Sequence, residues 1–156
     1  MAMTTRGIEQ LKKADVRFEI LPYRHEVKGA KPVAEALNLP EEIVIKTIVF
    51  QADDRPFLLA LMGGDGTVSE KKLARVSSHK HVSSAPPRDA ERITGYQIGG
   101  IGPFGLKRPL PVFLDEVTAQ HDEIVINAGA RGMMIRLSTA DLIRLTEATV
   151  ADIRVE

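Results

Sequence analysis

The 156-residue chain contains no cysteine. That absence excludes disulfides, thiolate metal sites and a cysteine nucleophile together. No apolar run approaches the ~20 residues a membrane helix needs, and the N-terminus lacks the apolar core of a secretory signal. Net charge is missing as well, because 21 basic and 21 acidic side chains cancel. A nucleic-acid partner therefore has to be attracted by local clusters, since the protein as a whole offers no monopole. The four histidines, His25, His79, His81 and His121, have no H-E-x-x-H or related ligand spacing. Ser77-Ser78 and Ser83-Ser84 lack the Gly-x-Ser-x-Gly elbow of a serine nucleophile. The expectation is a cytoplasmic protein without metal or cofactor. Residues 1–156 form one domain, long enough to bury roughly two thirds of its unfolded surface.

Glycine, by contrast, is concentrated in one place. Five of the twelve glycines fall between Gly95 and Gly105, in Thr94-Gly95-Tyr96-Gln97-Ile98-Gly99-Gly100-Ile101-Gly102-Pro103-Phe104-Gly105. Such density costs backbone entropy and buries little, so a core has no evident use for it. It suits a main chain that takes positive φ or comes close to a ligand. Pro103 stiffens the turn and holds Gly102 extended, and Lys107-Arg108 follow. The stretch reads as a binding loop for an anionic group. It is no Walker A loop. Gly100-Ile101-Gly102-Pro103-Phe104-Gly105 spells a dinucleotide fingerprint, yet Pro109 and Pro111 forbid the helix that must follow.

The remaining pattern is mixed. Ile8, Leu11 and Ala14 recur at helical spacing behind Thr4 or Thr5 as cap. Phe18 to Leu21 reads as a short strand, and Pro32 with Ala34 and Leu37 as a helix starting at the proline. Ile43 to Phe50 and Phe57 to Met62 flank Asp53-Asp54-Arg55-Pro56 and predict a hairpin. Helices follow at Ser69 to Val76 and Pro87 to Ile93. Strands are predicted at Pro111 to Leu114, Glu123 to Asn127 and Met133 to Leu137. Ser138 and Asp141 begin a last helix that runs to Leu145. Strands and helices do not alternate regularly, which argues for an α+β domain.

Lys46 interrupts an apolar strand. It shares a face with Val44, Ile48 and Phe50, while Ile45, Thr47 and Val49 take the other, and both faces look buried. The pattern leaves two readings open. Either the ammonium meets an anionic or carbonyl partner or a cleft, or it reaches water along its stem at a frayed strand start.

Lys46-Thr47, Lys71-Lys72-Leu73-Ala74, Thr94-Gly95-Tyr96, Gly99-Gly100-Ile101-x-Pro103-x-Gly105-x-Lys107 and Ala128-Gly129-x-Arg131-Gly132 occur in that order. With these motifs the chain resembles the YbaK/EbsC family of free-standing aminoacyl-tRNA deacylases, relatives of the editing domain inserted in bacterial prolyl-tRNA synthetases. The resemblance covers nearly the whole chain. It implies a compact α+β fold with a mixed, partly closed, barrel-like sheet and flanking helices. It implies hydrolysis of the ester joining a wrong amino acid to the terminal adenosine of tRNA. The partners it implies are the aminoacyl-tRNA acceptor end and a synthetase such as prolyl-tRNA synthetase.

By position, Lys46 matches the family's functional lysine, and Gly99, Gly100, Ile101, Gly102 and Pro103 its Gly-x-x-x-Pro loop. Tyr23, Thr47, Ser84, Asn127, Gly129 and Arg131 fall among substrate-binding positions, and Asp115 at a common acidic one. Bare loop amides suit an oxyanion, and a lysine suits the terminal phosphate. In the family the substrate's own ribose hydroxyl helps activate water. Lys71, Lys72 and Arg75 share one side of a helix and read as a solvated face by default. With Lys80, Lys107, Arg108 and Arg131 they form an alternative rim for tRNA phosphates. Departures from relatives are Asn127 for serine, Ser84 for methionine and Gly102 for serine, which bear on the amino acid removed. Two other readings stand beside deacylation: a tRNA- or synthetase-binding module without turnover, and a hydrolase of another small ester.

Overall fold

Thr5 opens the first helix by accepting a 3.0 Å hydrogen bond from the Ile8 amide, and α1 runs Arg6–Lys13 with Ile8 and Leu11 buried. The computed structural model describes residues 4–156. Strand β1 (Phe18–Pro22) and helix α2 (Ala30–Leu37) follow. α2 begins at Ala30, behind a Gly29 cap with φ 92° and two residues ahead of the expected start at Pro32. The expected hairpin is β2 (Ile45–Ala52) and β3 (Phe57–Gly63), antiparallel from Ile45↔Gly63 to Gln51↔Phe57. Ile43, expected in the strand, belongs instead to a single 3₁₀ turn, Glu41–Ile43. Ser69 caps α3 (Glu70–Val76), and α4 is Pro87–Thr94.

Between them lies β4 (Val82–Ser84), and β5 (Val112–Asp115), β6 (Glu123–Asn127) and β7 (Met133–Ser138) come next. The Ser138 hydroxyl accepts from the Asp141 amide to open α5 (Thr139–Thr146), which leads to β8 (Thr149–Ala151). β4 and β8 escape the sequence pattern because three residues are too few to show a period.

The strands form two sheets, β1-β7-β6 and β4-β2-β3-β5-β8. They meet at one parallel bridge, Val44↔Val125, so the β-structure does not close. Beyond that bridge β2 pairs with β3 along its length and with β4 at its far end, which turns it away from β6.

The hairpin is buried on both faces, as its composition predicts. Ile45, Val49, Leu59 and Leu61 pack with Ile124, Ile126, Ile135 and α1. Phe50, Leu58, Ala60 and Met62 pack with Leu73 and Ala74 of α3 and with Ile153. Leu58 to Met62 are all at most 1% exposed. Leu61→Ala should therefore lower stability by about 2–5 kcal/mol, read as a drop in the urea midpoint at unchanged m-value. No helix among the described residues is long and apolar enough to cross a membrane.

Candidate active-site cleft

Where the two sheets part, a cleft of about 330 Å³ opens beside the start of β2. The Tyr23–Ala30 segment before α2 supplies one wall and Val44 to Thr47 the floor. Ile98, Gly99 and Ile101 of the glycine loop close it from above, with Asn127, Arg131 and Met134 beside them. Residues spread from Tyr23 to Arg131 thus converge on one site. His25, Lys28 and Ile98 also line it. Sequence reading singled out none of them for the site, because the polar run before α2 has no period and Ile98 looks like any apolar loop residue.

Of the two readings open for Lys46, the structure shows the carbonyl partner. Its Nζ donates to the Gly66 carbonyl, one of the three donors an ammonium carries. Partial burial holds its pKa below the usual lysine value; Asp65 and Glu41 oppose that shift and Arg154 adds to it.

The glycine loop is largely core, against the expectation from its composition. Gly100 to Phe104 are buried, because the loop lies directly on the β6–β7 connection. A Cβ on Gly102 would sit 1.9 Å from the Asn127 carbonyl oxygen. The main chain here approaches other main chain, and besides Ile101 only the loop's tip meets the cleft. Gly99, at φ +92°, is that tip, and a Cβ there would be 3.1 Å from Arg131 Nε.

Side chains fix the tip's orientation. Arg131 Nε donates to the Ile98 carbonyl at 2.7 Å, and Asn127 Nδ2 to the Gly99 carbonyl at 3.2 Å. The Glu91 carboxylate accepts from the Ile98 amide at 2.8 Å, and Gly100 N–H donates to the Gln97 carbonyl at 2.9 Å. Among the described residues, the N–H groups of Gly99 and Ile101 find no acceptor. Unpaired main-chain amides are the kind of donor an oxyanion needs. Two polar atoms in the cleft wall, Thr47 Oγ1 and Asn127 Oδ1, are buried without a partner.

The other site residues inferred from sequence lie elsewhere. Pro103 is buried behind the loop, and Gly129 faces Tyr96, whose ring edge lies 2.6 Å from where a Cβ would be. Ser84 is exposed on β4, opposite Phe50, outside the cleft lining. Lys71, Arg75, Lys80, Lys107 and Arg108 are exposed and also outside the lining. Lys72 is spent internally: its Nζ lies 2.8 Å from Asp152 Oδ2 and 3.5 Å from Glu156 Oε1. Asp115 is 0% exposed and held by Arg154, so it serves the C-terminal segment. No group of three His, Asp or Glu side chains arranged to hold a metal occurs among the described residues.

Residues 24–145 match the aminoacyl-tRNA editing domain. The chain belongs to this family. EbsC of Enterococcus faecalis, a candidate Cys-tRNA(Pro)/Cys-tRNA(Cys) deacylase, is 32% identical over 148 residues, 95% of this chain and 90% of that protein. The proline–tRNA ligase of a Sulfurihydrogenibium species is 31% identical over 109 residues, covering 70% of this chain and 19% of the ligase. The crystal structure of a candidate trans-editing enzyme for prolyl-tRNA synthetase superposes with a TM-score of 0.82 at 26% identity. That match covers 97% of this chain and 90% of the other. The matched span of the editing family runs from the cleft's first wall to α5 and contains Lys46, the glycine loop, Asn127 and Arg131.

Proposed function

We propose that this editing domain acts in trans, hydrolysing the ester of a mischarged aminoacyl-tRNA without a metal ion. The observation that carries the reading is one cleft lined by Lys46 together with Gly99 and Ile101, whose amides have no acceptor among the described residues. In this reading Lys46 and the rim cations Lys28 and Arg131 hold phosphate of the terminal nucleotide. Water, activated by the vicinal ribose hydroxyl, adds to the ester carbonyl. The oxyanion forms against the loop amides, then collapses, and the ribose oxygen leaves with a proton as free tRNA and amino acid separate. A deacylation assay against a panel of mischarged tRNAs tests this; no turnover with any of them would leave the binding module.

Asn127 points to the amino acid removed. Its NH₂ is engaged by the Gly99 carbonyl, and its Oδ1 is buried and lacks a donor. A serine or threonine hydroxyl can supply that donor, whereas a thiol is a poor one. Serine, threonine or alanine should therefore be cleared at least as fast as cysteine. Competing Ser-, Thr-, Ala- and Cys-tRNA rates measure it, and a strong cysteine preference unaltered in Asn127→Ser would reject the assignment. Ser84, exposed on β4, takes no part in this reading.

The acceptor stem needs cations beyond the cleft, and Lys71 and Arg75 on α3 are exposed and free for it. Neutralising each should flatten the salt dependence of tRNA binding by about 0.7–0.9 in log–log slope. Stability should change by at most ~1 kcal/mol. An unchanged slope in the double variant would return this face to plain solvation.

A further inference from the structure

One arginine joins the C-terminal segment to the turn that receives the Lys46 ammonium. Ser69 N–H donates to the Ile153 carbonyl at 2.7 Å and Val155 N–H to the Thr67 carbonyl at 2.9 Å, which seats Arg154 beside the turn after β3. Its guanidinium makes four hydrogen bonds there. Nε donates to Asp115 Oδ2 at 3.0 Å, Nη1 to Asp65 Oδ2 at 3.1 Å and Nη2 to Asp65 Oδ1 at 3.3 Å. Nη2 also lies 3.4 Å from Thr118 Oγ1, which accepts from the Gly63 amide at 3.0 Å. The group packs against Gly66, where a Cβ would stand 2.7 Å from Arg154 Cζ. Gly66 is the residue whose carbonyl receives the Lys46 ammonium.

We propose that Arg154 and Asp65 are positioning residues which fix the Gly63–Gly66 turn and so place the Lys46 ammonium in the cleft. The inference rests on the reading of Lys46 as the group that holds substrate. The geometry has two halves. Asp115, 0% exposed, and the Ile153 amide at 3.4 Å from its Oδ1 anchor the arginine. The fork on Asp65 then carries that anchor across to an outer turn, because a planar guanidinium matches a carboxylate in two parallel bonds. An anchor for the C-terminal segment alone would need only the Asp115 half.

The same residues set the field at Lys46. Asp65 and Glu41 favour its charged form, and Arg154 and burial disfavour it. Lys28, Arg131 and His25 line the same cleft. Removing the Asp65 charge thus lowers the Lys46 pKa further. Since the protonated lysine is the active form, activity is lost as pH rises through that pKa, and its alkaline limb moves to lower pH.

The test uses the full chain with Asp65→Asn, whose side chain is 33% exposed and so tolerates the change. Two readouts are taken: the Lys46 Nζ titration by NMR in the free protein, and kcat and KM with the best mischarged tRNA. Expected are a lower Lys46 midpoint, an alkaline limb shifted with it, a kcat reduced ~10-fold by misplacement and a KM changed less than about threefold. Asp65→Glu should recover part of the loss. Arg154→Lys, which keeps a charge for Asp115 without the fork, should lower kcat like Asp65→Asn. A wild-type Lys46 titration in Asp65→Asn overturns the proposal, as does a wild-type kcat. If the unaltered protein hydrolyses no substrate, the deacylase reading falls, and NMR detection of the Lys46 Nζ hydrogen bond to the Gly66 carbonyl, lost in Asp65→Asn if Asp65 fixes the turn and kept if it does not, still decides the positioning role.

Discussion

Lys46→Ala should reduce deacylation on the order of 100-fold while the protein stays folded. The side chain leaves a strand whose packing is made by Ile45, Val49 and Phe50, and Lys46 itself is only partly buried. Its loss relieves an ammonium that burial already disfavours. What disappears is a positively charged side chain of a cleft that Gly99 and Ile101 also line. A reacting ester displaced by about 1 Å can lose ~100-fold in rate. Single-turnover hydrolysis and a thermal melt separate the two quantities. Turnover at the wild-type rate would remove Lys46 from the site, and loss of the melt would make it structural. Chelators should leave the wild-type rate unchanged; inhibition by a chelator would reject the metal-free mechanism.

Gly102→Ala should damage both stability and turnover. The new methyl would have to occupy space 1.9 Å from the Asn127 carbonyl oxygen and 2.7 Å from its carbon, and both are main-chain atoms of the adjoining strand. Neither can rotate away as a side-chain tip could. Overpacking of this kind costs about 1–3 kcal/mol. The loop must also lift from β6, which carries the Gly99 and Ile101 amides out of register with the cleft. Loss of one oxyanion donor costs roughly 100- to 1,000-fold in kcat. Urea unfolding and kcat should therefore fall together in this variant. A stable, fully active Gly102→Ala protein would show that the loop's seat on β6 is not what aims its amides.

The elements whose signals are local were legible in the chain. Thr5, Ser69 and Ser138 each accept an amide hydrogen bond from three residues ahead, the cap geometry that their spacing predicts. The β2–β3 hairpin follows from two long apolar runs around four turn residues. The glycine loop was legible as a feature and misread in part. Glycine density looks the same whether backbone approaches a ligand or another strand, and Gly102 turned out to face Asn127. Sequence gives no means to choose between a neighbour in the core and a ligand in solution.

Lys46 stayed open between a partner and a path to water, whereas the family, the α+β class, the caps and the hairpin were legible in the chain alone. Each depends on residues close in the chain or on motif order. Tertiary structure alone decided which polar groups meet. Lys72 belongs to Asp152 rather than to a free basic face, eighty residues away. Arg154 belongs to Asp65, eighty-nine residues away, and through it to the lysine of the cleft. Ser84 went outward while Asn127 turned to the loop, because β4 pairs only with the far end of β2. A charge or amide carries no record of its partner in its own neighbourhood; the tertiary fold brings the two together, and burial makes the match obligatory only where, as at Asp115, the charge is cut off from water.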